Sequence, residues 1–128
     1  MSIIQARQWR NFDVPPALWS ALDRRGKEYV AIPRPKGYRR QQSKGCCFLN
    51  AATIATRDIN ATYVEGIAWS PRSRCGVHHA WITLDDEHAI DQTWQYDPGT
   101  IYVGIAVPSA DLRRIFIRGE YRGDPVFQ

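Results

Sequence analysis

The stretch Gly45-Cys46-Cys47-Phe48-Leu49-Asn50-Ala51 decides the fold, because the chemical pattern of the chain is built around it. It ends a basic, glycine-bearing loop and opens an apolar run that continues to Ala55, which predicts a buried helix with a thiol in its first turn. The positive end of a helix dipole favours the thiolate, which is the reactive form of cysteine. Cysteine is also among the most buried residue types, so the stretch on its own favours core filling over a nucleophile.

Length and composition predict one folded domain over residues 1–128. A chain of 128 residues with 44% hydrophobic and 23% charged residues is large enough to bury a core without disulfide or metal cross-links. Three cysteines, an odd number without a framework spacing, indicate a reducing compartment in which disulfides do not form. The first ten residues lack the apolar core of a signal peptide and no run is long enough to span a bilayer, so we expect a cytoplasmic protein without a membrane partner.

Local signals predict an α+β arrangement in which a helix lies across an antiparallel sheet. We expect an irregular arm over residues 1–16, and a long basic loop from Pro33 to Gly45. The predicted elements are helices over Pro16 to Arg25 and from Cys46 or Cys47 to Arg57 or Asp58, a brief extended piece at Tyr29 to Ile32, strands over Thr62 to Trp69, Val77 to Leu84, His88 to Thr93 and Ile101 to Val107, a helical turn over Ser109 to Arg114, and a last strand at Ile115 to Arg118.

Two residues downstream of the helix complete the chemical pattern. A thiol nucleophile needs a base within hydrogen-bonding reach, and the base needs a third group that fixes its tautomer. If the strands around the Asp85-Asp86-Glu87 turn pair about Asp86, His79 lies beside Thr93 and Asp91 is its diagonal neighbour. A shift of one residue in this pairing would turn Asp91 to the opposite face.

The residues alone leave two choices open. Cys46 competes with Cys47 as the nucleophile, and His78 competes with His79 as the base, since strand alternation does not select within either pair.

Four motifs resemble the transglutaminase-like branch of the papain-like cysteine enzyme superfamily. They are Gly45-x-Cys47 with Ala51, Tyr63-Val64-Glu65-Gly66, His79-Ala80-Trp81 and Asp91-x-Thr93-Trp94, and they cover about half of the chain. The resemblance implies a papain-like core and makes Cys47 the nucleophile, His79 the general base and acid, and Asp91 the orienting group. It implies a peptidase, isopeptidase, transglutaminase or deamidase type of enzyme that acts on an amide, isopeptide or thioester carbonyl of a protein or peptide through an acyl-enzyme, without a cofactor.

Further site residues are expected around this triad. In papain-like enzymes a glutamine upstream of the cysteine helps to bind the oxyanion, and Gln41 or Gln42 stands at a suitable distance. The candidates for a substrate cleft are aromatic, although each also suits a core. They are Tyr38, Trp69, Trp81 and Trp94.

An alternative function is a binding module that uses the basic loop from Arg34 to Lys44 for an acidic protein or nucleic acid. Nucleic acid is the less favoured partner, because the loop lacks the aromatic pattern of single-strand binders. A zinc site that joins Cys75 to the neighbouring histidines and to Cys46 and Cys47 has poor ligand spacing, so we expect no metal. We expect a monomer or small homo-oligomer, and the small size suits a phage or bacterial effector.

Overall fold

The computed structural model describes residues 3–38, 46–117 and 124–128, and in these ranges the chain forms four helices and six strands. In chain order they are α1 (Ile3–Gln8), β1 (Asn11–Phe12), α2 (Pro16–Arg25), β2 (Lys27–Ala31), α3 (Cys47–Arg57), β3 (Thr62–Trp69), β4 (Gly76–Thr83), β5 (His88–Ala89), β6 (Ile101–Val107) and α4 (Ser109–Ile117). The predicted α+β class is therefore compatible with the observed elements.

The six strands form a single mixed sheet in the order β1-β4-β3-β6-β2-β5. The central pairs are antiparallel, but β1 runs parallel to β4 and β5 runs parallel to β2. The prediction of a wholly antiparallel sheet is thus wrong at both edges. Each edge strand is only two residues long and pairs with a strand that is not its neighbour in the chain. The sequence therefore contains no hairpin turn that would predict this pairing.

The sheet curls so that the chain just after β5 reaches β4. β5 pairs with β2 at one edge, and the next residue, Ile90, exchanges two backbone hydrogen bonds of 3.0 and 2.9 Å with Ile82 of β4. The strands from β4 through β5 therefore enclose an inner face. Its buried side chains form one cluster, which consists of Tyr29, Val64, Ala68, Trp81, Ala89 and Tyr102.

Helices cover the outer face of the curled sheet. α3 packs the small side chains Ala51, Ala52 and Ala55 against a cluster that includes Ala80 and Ile82 of β4. Small residues on the buried face bring the helix close to the strand, and this places the first turn of α3 beside the middle of β4. α2 covers a neighbouring part of the same face with Leu18, Ala21 and Leu22, which meet Ile67, Val103 and Ile105.

The predicted helix over residues 16–25 and the strands over residues 62–69 and 101–107 are confirmed, and α3 begins at the second of the two proposed residues. Three other predictions are wrong. The arm over residues 1–16 contains α1 and β1. The strand expected over residues 88–93 ends at Ala89 and pairs with β2, while the expected antiparallel pairing with β4 is limited to one bridge between Ile82 and Ile90. Residues 115–117 continue α4, whose Leu112 packs in the core, and the last residue of the predicted strand, Arg118, lies outside the described residues.

Candidate active site

Cys47 is the first residue of α3, and it is held at the edge of the core with 8% of its surface exposed. The first backbone hydrogen bond of the helix runs from Asn50 N to Cys46 O at 2.9 Å. The N–H groups of the first turn precede this ladder and therefore have no partner within the helix. Cys46 precedes the helix and its thiol caps none of these groups.

His79 projects from β4 and joins Cys47 to Asp91. Its Nε2 atom lies 2.7 Å from Asp91 Oδ2, and since a carboxylate only accepts hydrogen bonds, Nε2 carries the proton. The Cys47 side chain acts on the same imidazole, since it contributes to the raised pKa of His79. Nε2 is engaged by Asp91, so Nδ1 is the nitrogen left for the thiol.

Asp91 is fixed by four donors. Besides His79, the Tyr102 hydroxyl donates to Oδ2 at 2.7 Å, and the backbone N–H groups of Thr93 and Trp94 donate to Oδ1 at 2.9 and 3.0 Å. Both carboxylate oxygens are satisfied in a site where Asp91 is only 5% exposed. The carboxylate is therefore set in one orientation before any substrate arrives.

The charges of this pair stabilise each other in a buried setting. Burial lowers the pKa of His79, but the Asp91 carboxylate and then the Cys47 thiol outweigh burial and raise this pKa from 6.5 to about 10. Burial raises the pKa of Asp91, but His79 and the donors of Trp94 and Tyr102 hold it below its ordinary value. Burial and the adjacent Asp91 raise the pKa of Tyr102, so its hydroxyl remains a donor. An imidazolium beside a carboxylate is the favoured state at neutral pH.

Further side chains hold the loop after Ile90 in place. Arg34 Nη1 donates to the carbonyl oxygens of Asp91 and Trp94 at 3.0 and 3.3 Å. Asn50 Nδ2 donates to Thr93 Oγ1 at 2.9 Å, which ties this loop to the first turn of α3. Neither Arg34 nor Tyr102 was identified from the sequence, since a basic loop residue and a strand tyrosine carry no local signal of such a role.

Trp94 is the one predicted cleft aromatic that lies against the triad with part of its surface accessible. Its ring stacks on the His79 imidazole with centroids 4.1 Å apart. Trp81 also neighbours His79, at 6.2 Å between centroids, but it is fully buried inside the curled sheet and is unavailable to a substrate.

Two other predicted cleft residues have partners of their own. Tyr38 donates a hydrogen bond to Asp58, which follows the opposite end of α3, and Trp69 packs on Trp9. Among the four predicted cleft aromatics, the structure therefore brings Trp94 and the buried Trp81 to His79. Gln41 and Gln42 lie outside the described residues.

A second histidine–carboxylate pair occupies the opposite face of β4. His78 Nε2 lies 2.8 Å from Oε2 of Glu65, which is fully buried on β3. His78 packs edge-on against Phe48, the residue after Cys47, with centroids 4.8 Å apart. The adjacent histidines thus have different carboxylate partners, and it is His79 whose pKa the Cys47 side chain helps to raise.

Potential metal ligands come together elsewhere. In the described ranges, the group of such side chains within mutual reach is Asp85, Glu87 and His88, on the turn between β4 and β5. None of the three cysteines belongs to it.

Scans against protein-family models, curated proteins and solved structures find no match to this chain. Among the described residues, none of the helices has the length and apolarity needed to cross a membrane.

Proposed function

We propose that this protein is a cysteine enzyme of the papain-like, transglutaminase-like kind, which attacks an amide, isopeptide or thioester carbonyl. The observation that carries the proposal is the buried hydrogen bond between His79 and Asp91, beside which Cys47 begins α3 and acts on the same imidazole. A nucleophile, a base in contact with it and a group that orients the base are the parts that acyl transfer requires.

The reaction begins with the Cys47 proton already on Nδ1 of His79, since the Asp91 carboxylate favours the imidazolium at neutral pH. The thiolate sulfur then bonds to the carbonyl carbon, and the π electrons of the carbonyl move to its oxygen. As this oxyanion collapses, the bond to the leaving amine or thiol breaks, and the imidazolium donates its proton to the leaving group. A thioester with Cys47 remains. Water or an amine attacks its carbonyl carbon while His79 takes the proton, and collapse of this second intermediate breaks the carbon–sulfur bond and restores the thiolate beside the imidazolium.

Asp91 supports both halves of this cycle. Its Oδ2 atom holds Nε2–H and so leaves Nδ1 directed at the thiol, and its negative charge stabilises the imidazolium that forms. The N–H groups at the start of α3 lie next to the sulfur and, within the helix, have no acceptor, so we assign the backbone N–H of Cys47 to the oxyanion. Gln41 or Gln42 is the proposed second donor.

The type of acceptor distinguishes a peptidase or isopeptidase from a transglutaminase, and we propose a protein or peptide substrate for either. The alternative function is a binding module that uses the basic loop. One cation of that loop is already engaged within the fold, because the guanidinium of Arg34 donates to the carbonyl oxygens of Asp91 and Trp94. We further propose that the enzyme acts in the cytoplasm.

Replacement of single cysteines tests the proposal. Peptide amides, isopeptide-linked peptides and thioesters are incubated with the protein, with and without an added primary amine, and products are read by mass spectrometry. Cys47→Ala should abolish all turnover, whereas Cys46→Ala and Cys75→Ala should retain it. Turnover that survives Cys47→Ala would refute the assignment of the nucleophile.

A further inference from the structure

A cavity of about 450 Å³ lies between two loops at one end of the sheet. One loop is the turn from β3 to β4, and the other runs from Trp94 to β6. The first loop begins after Trp69 and the second ends at Ile101, and these two residues are paired where β3 meets β6. The loops also touch directly, because a Cβ atom on Gly99 would lie 2.7 Å from Cγ of Pro71. The cavity is therefore framed by two anchored loops, and its volume falls in the range of small-molecule sites.

Trp94 connects this cavity to the triad. It lines the cavity, and its ring stacks on His79. The backbone of Trp94 is fixed on both sides, since its N–H donates to Asp91 and its carbonyl accepts from Arg34. A molecule in the cavity thus lies against a rigid wall that is shared with the imidazole.

The lining of the cavity carries two opposite charges. Arg72 and Asp97 both face it, and within the described ranges they form no ion pair with each other or with another residue. One oxygen of Asp97 accepts the Gly99 N–H at 2.8 Å, which fixes the carboxylate and leaves its other oxygen available. The hydroxyl groups of Ser70 and Thr100 add polar surface. The cavity is therefore lined both by charged and hydroxyl groups and by the rings of Trp94 and Tyr96.

We propose that this cavity is a substrate subsite for a zwitterionic group, namely an amino acid or dipeptide with both ends free, whose carboxylate binds Arg72 and whose ammonium binds Asp97. The proposal rests on the proposed function, since it gives the thiol enzyme one part of its substrate. A guanidinium pairs with a carboxylate through parallel N–H donors, and a fixed carboxylate accepts from an ammonium, so each end of the ligand meets its complement. The flat rings of Trp94 and Tyr96 give its side chains a surface.

Calorimetric titration of the Cys47→Ala protein tests the subsite without catalysis. The probes are L-alanyl-L-alanine, its N-acetyl derivative and its C-terminal amide. We expect the free dipeptide to bind at least tenfold more tightly than either blocked form. Arg72→Gln should remove the preference over the amide, and Asp97→Asn should remove the preference over the acetylated form while it keeps the Gly99 contact.

Arg74→Gln is the matched control, because Arg74 lies in the same turn but does not line the cavity. It should leave all three affinities unchanged. Absence of dipeptide binding at millimolar concentration, or equal affinity for the three probes, would overturn the subsite. Charge-selective binding by a protein that shows no Cys47-dependent turnover would refute the enzyme and leave the subsite standing. Cys47-dependent turnover together with equal affinity for the three probes would refute the subsite and leave the proposed enzyme standing.

Discussion

His79 and Asp91 form a buried charged pair whose removal from water is costly. Four donors on the carboxylate and the position of the ring between Asp91 and Cys47 offset that cost. The arrangement favours the charged state of both groups, as the opposite shifts of their pKa values indicate. Stability should therefore depend on pH in a direction set by these two groups.

The His79 contribution should be lost on the alkaline side. The folded-state pKa is raised from 6.5 to about 10, so stability from this group is complete below pH 6.5 and falls as the pH rises towards 10, because the unfolded chain has already lost the proton that the folded chain keeps. The stability from Asp91, whose pKa is lowered, is lost as the pH falls below the ordinary carboxyl range. Urea unfolding between pH 6.5 and 10 measures the first effect.

Asp91→Asn is the control for this titration, and both proteins carry Cys47→Ala so that they differ only at position 91. The asparagine variant should be less stable at pH 6.5 and should show a much smaller decline towards pH 10, because the main group that raises the pKa of His79 is gone. Equal slopes in the two proteins would show that His79 is not paired as described.

At the scale of single residues, the sequence indicates the side chains of the proposed triad but gives no signal of those that hold them in place. Cys47, His79 and Asp91 were identified by order, spacing and resemblance, and the pairing of Ile82 with Ile90 is centred on Asp86 as expected. Arg34 reaches Asp91 across 57 positions of the chain, and Tyr102 comes from β6, which β3 separates from β4 in the sheet. Such contacts depend on the curl of the sheet, which no local pattern encodes.

Among the elements, β4 carries two adjacent histidines whose side chains lie on opposite faces of the sheet and bind different carboxylates. His79 belongs to the triad, whereas His78 meets Glu65 on the helix-covered face. Glu65 also accepts from the Tyr63 hydroxyl and from the backbone N–H groups of Val126 and Phe127, the latter two at 2.8 and 2.9 Å. A fully buried carboxylate thus fastens the end of the chain to the sheet.

Deletion of residues 124–128 should lower the free energy of unfolding by roughly 3 kcal/mol, because Glu65 would lose two charge-assisted hydrogen bonds inside the core. Chemical denaturation measures the change. Phe127→Ala separates the two contributions of the segment, since it removes the ring but keeps the N–H. If the segment acts through Glu65, Glu65→Gln should cost less in the shortened chain than in the full one. Equal costs in both backgrounds would mean that the contact contributes nothing.

Elements with strong local signals were predicted well and edge elements were not. α3 combines an apolar face with a clear end, and β3 is rich in aromatic and β-branched residues, so both were identified from the sequence. β1 and β5 are two-residue strands that exist only because a partner is nearby. The C-terminal apolar run was assigned to a strand, but packing of Leu112 makes it helical.

For the molecule as a whole, the curl of the sheet around Trp81 joins the site to the core. Gly66 and Gly104 face each other across β3 and β6, and Trp81 lies over Gly104. A Cβ atom at position 104 would be 2.7 Å from Trp81 Cζ2 and 2.8 Å from Val64 Cγ1. Small residues at this place therefore let the indole fill the interior and set the wall on which Tyr102 and His79 rest.

Gly104→Ala should destabilise the protein by about 1–3 kcal/mol, because the fully buried indole has no free space into which it can move. Thermal or chemical unfolding reports this change. Trp81→Phe removes the atoms that meet the added methyl group, so it should be less costly in the Gly104→Ala background than in the natural chain. Additive effects of the two substitutions would contradict this packing.

The central claim is that Cys47 is an activated nucleophile, and the most direct test is the rate of its alkylation by iodoacetamide, resolved by peptide mapping between pH 5 and 9. Cys47 is the most buried of the three cysteines. Accessibility alone would therefore make it the slowest to react. We predict that it reacts first, that it already reacts at pH 6, and that His79→Ala slows it at least tenfold while His78→Ala has a smaller effect. Preferential labelling of Cys46 or Cys75, with Cys47 unreactive in the folded protein, would contradict the account.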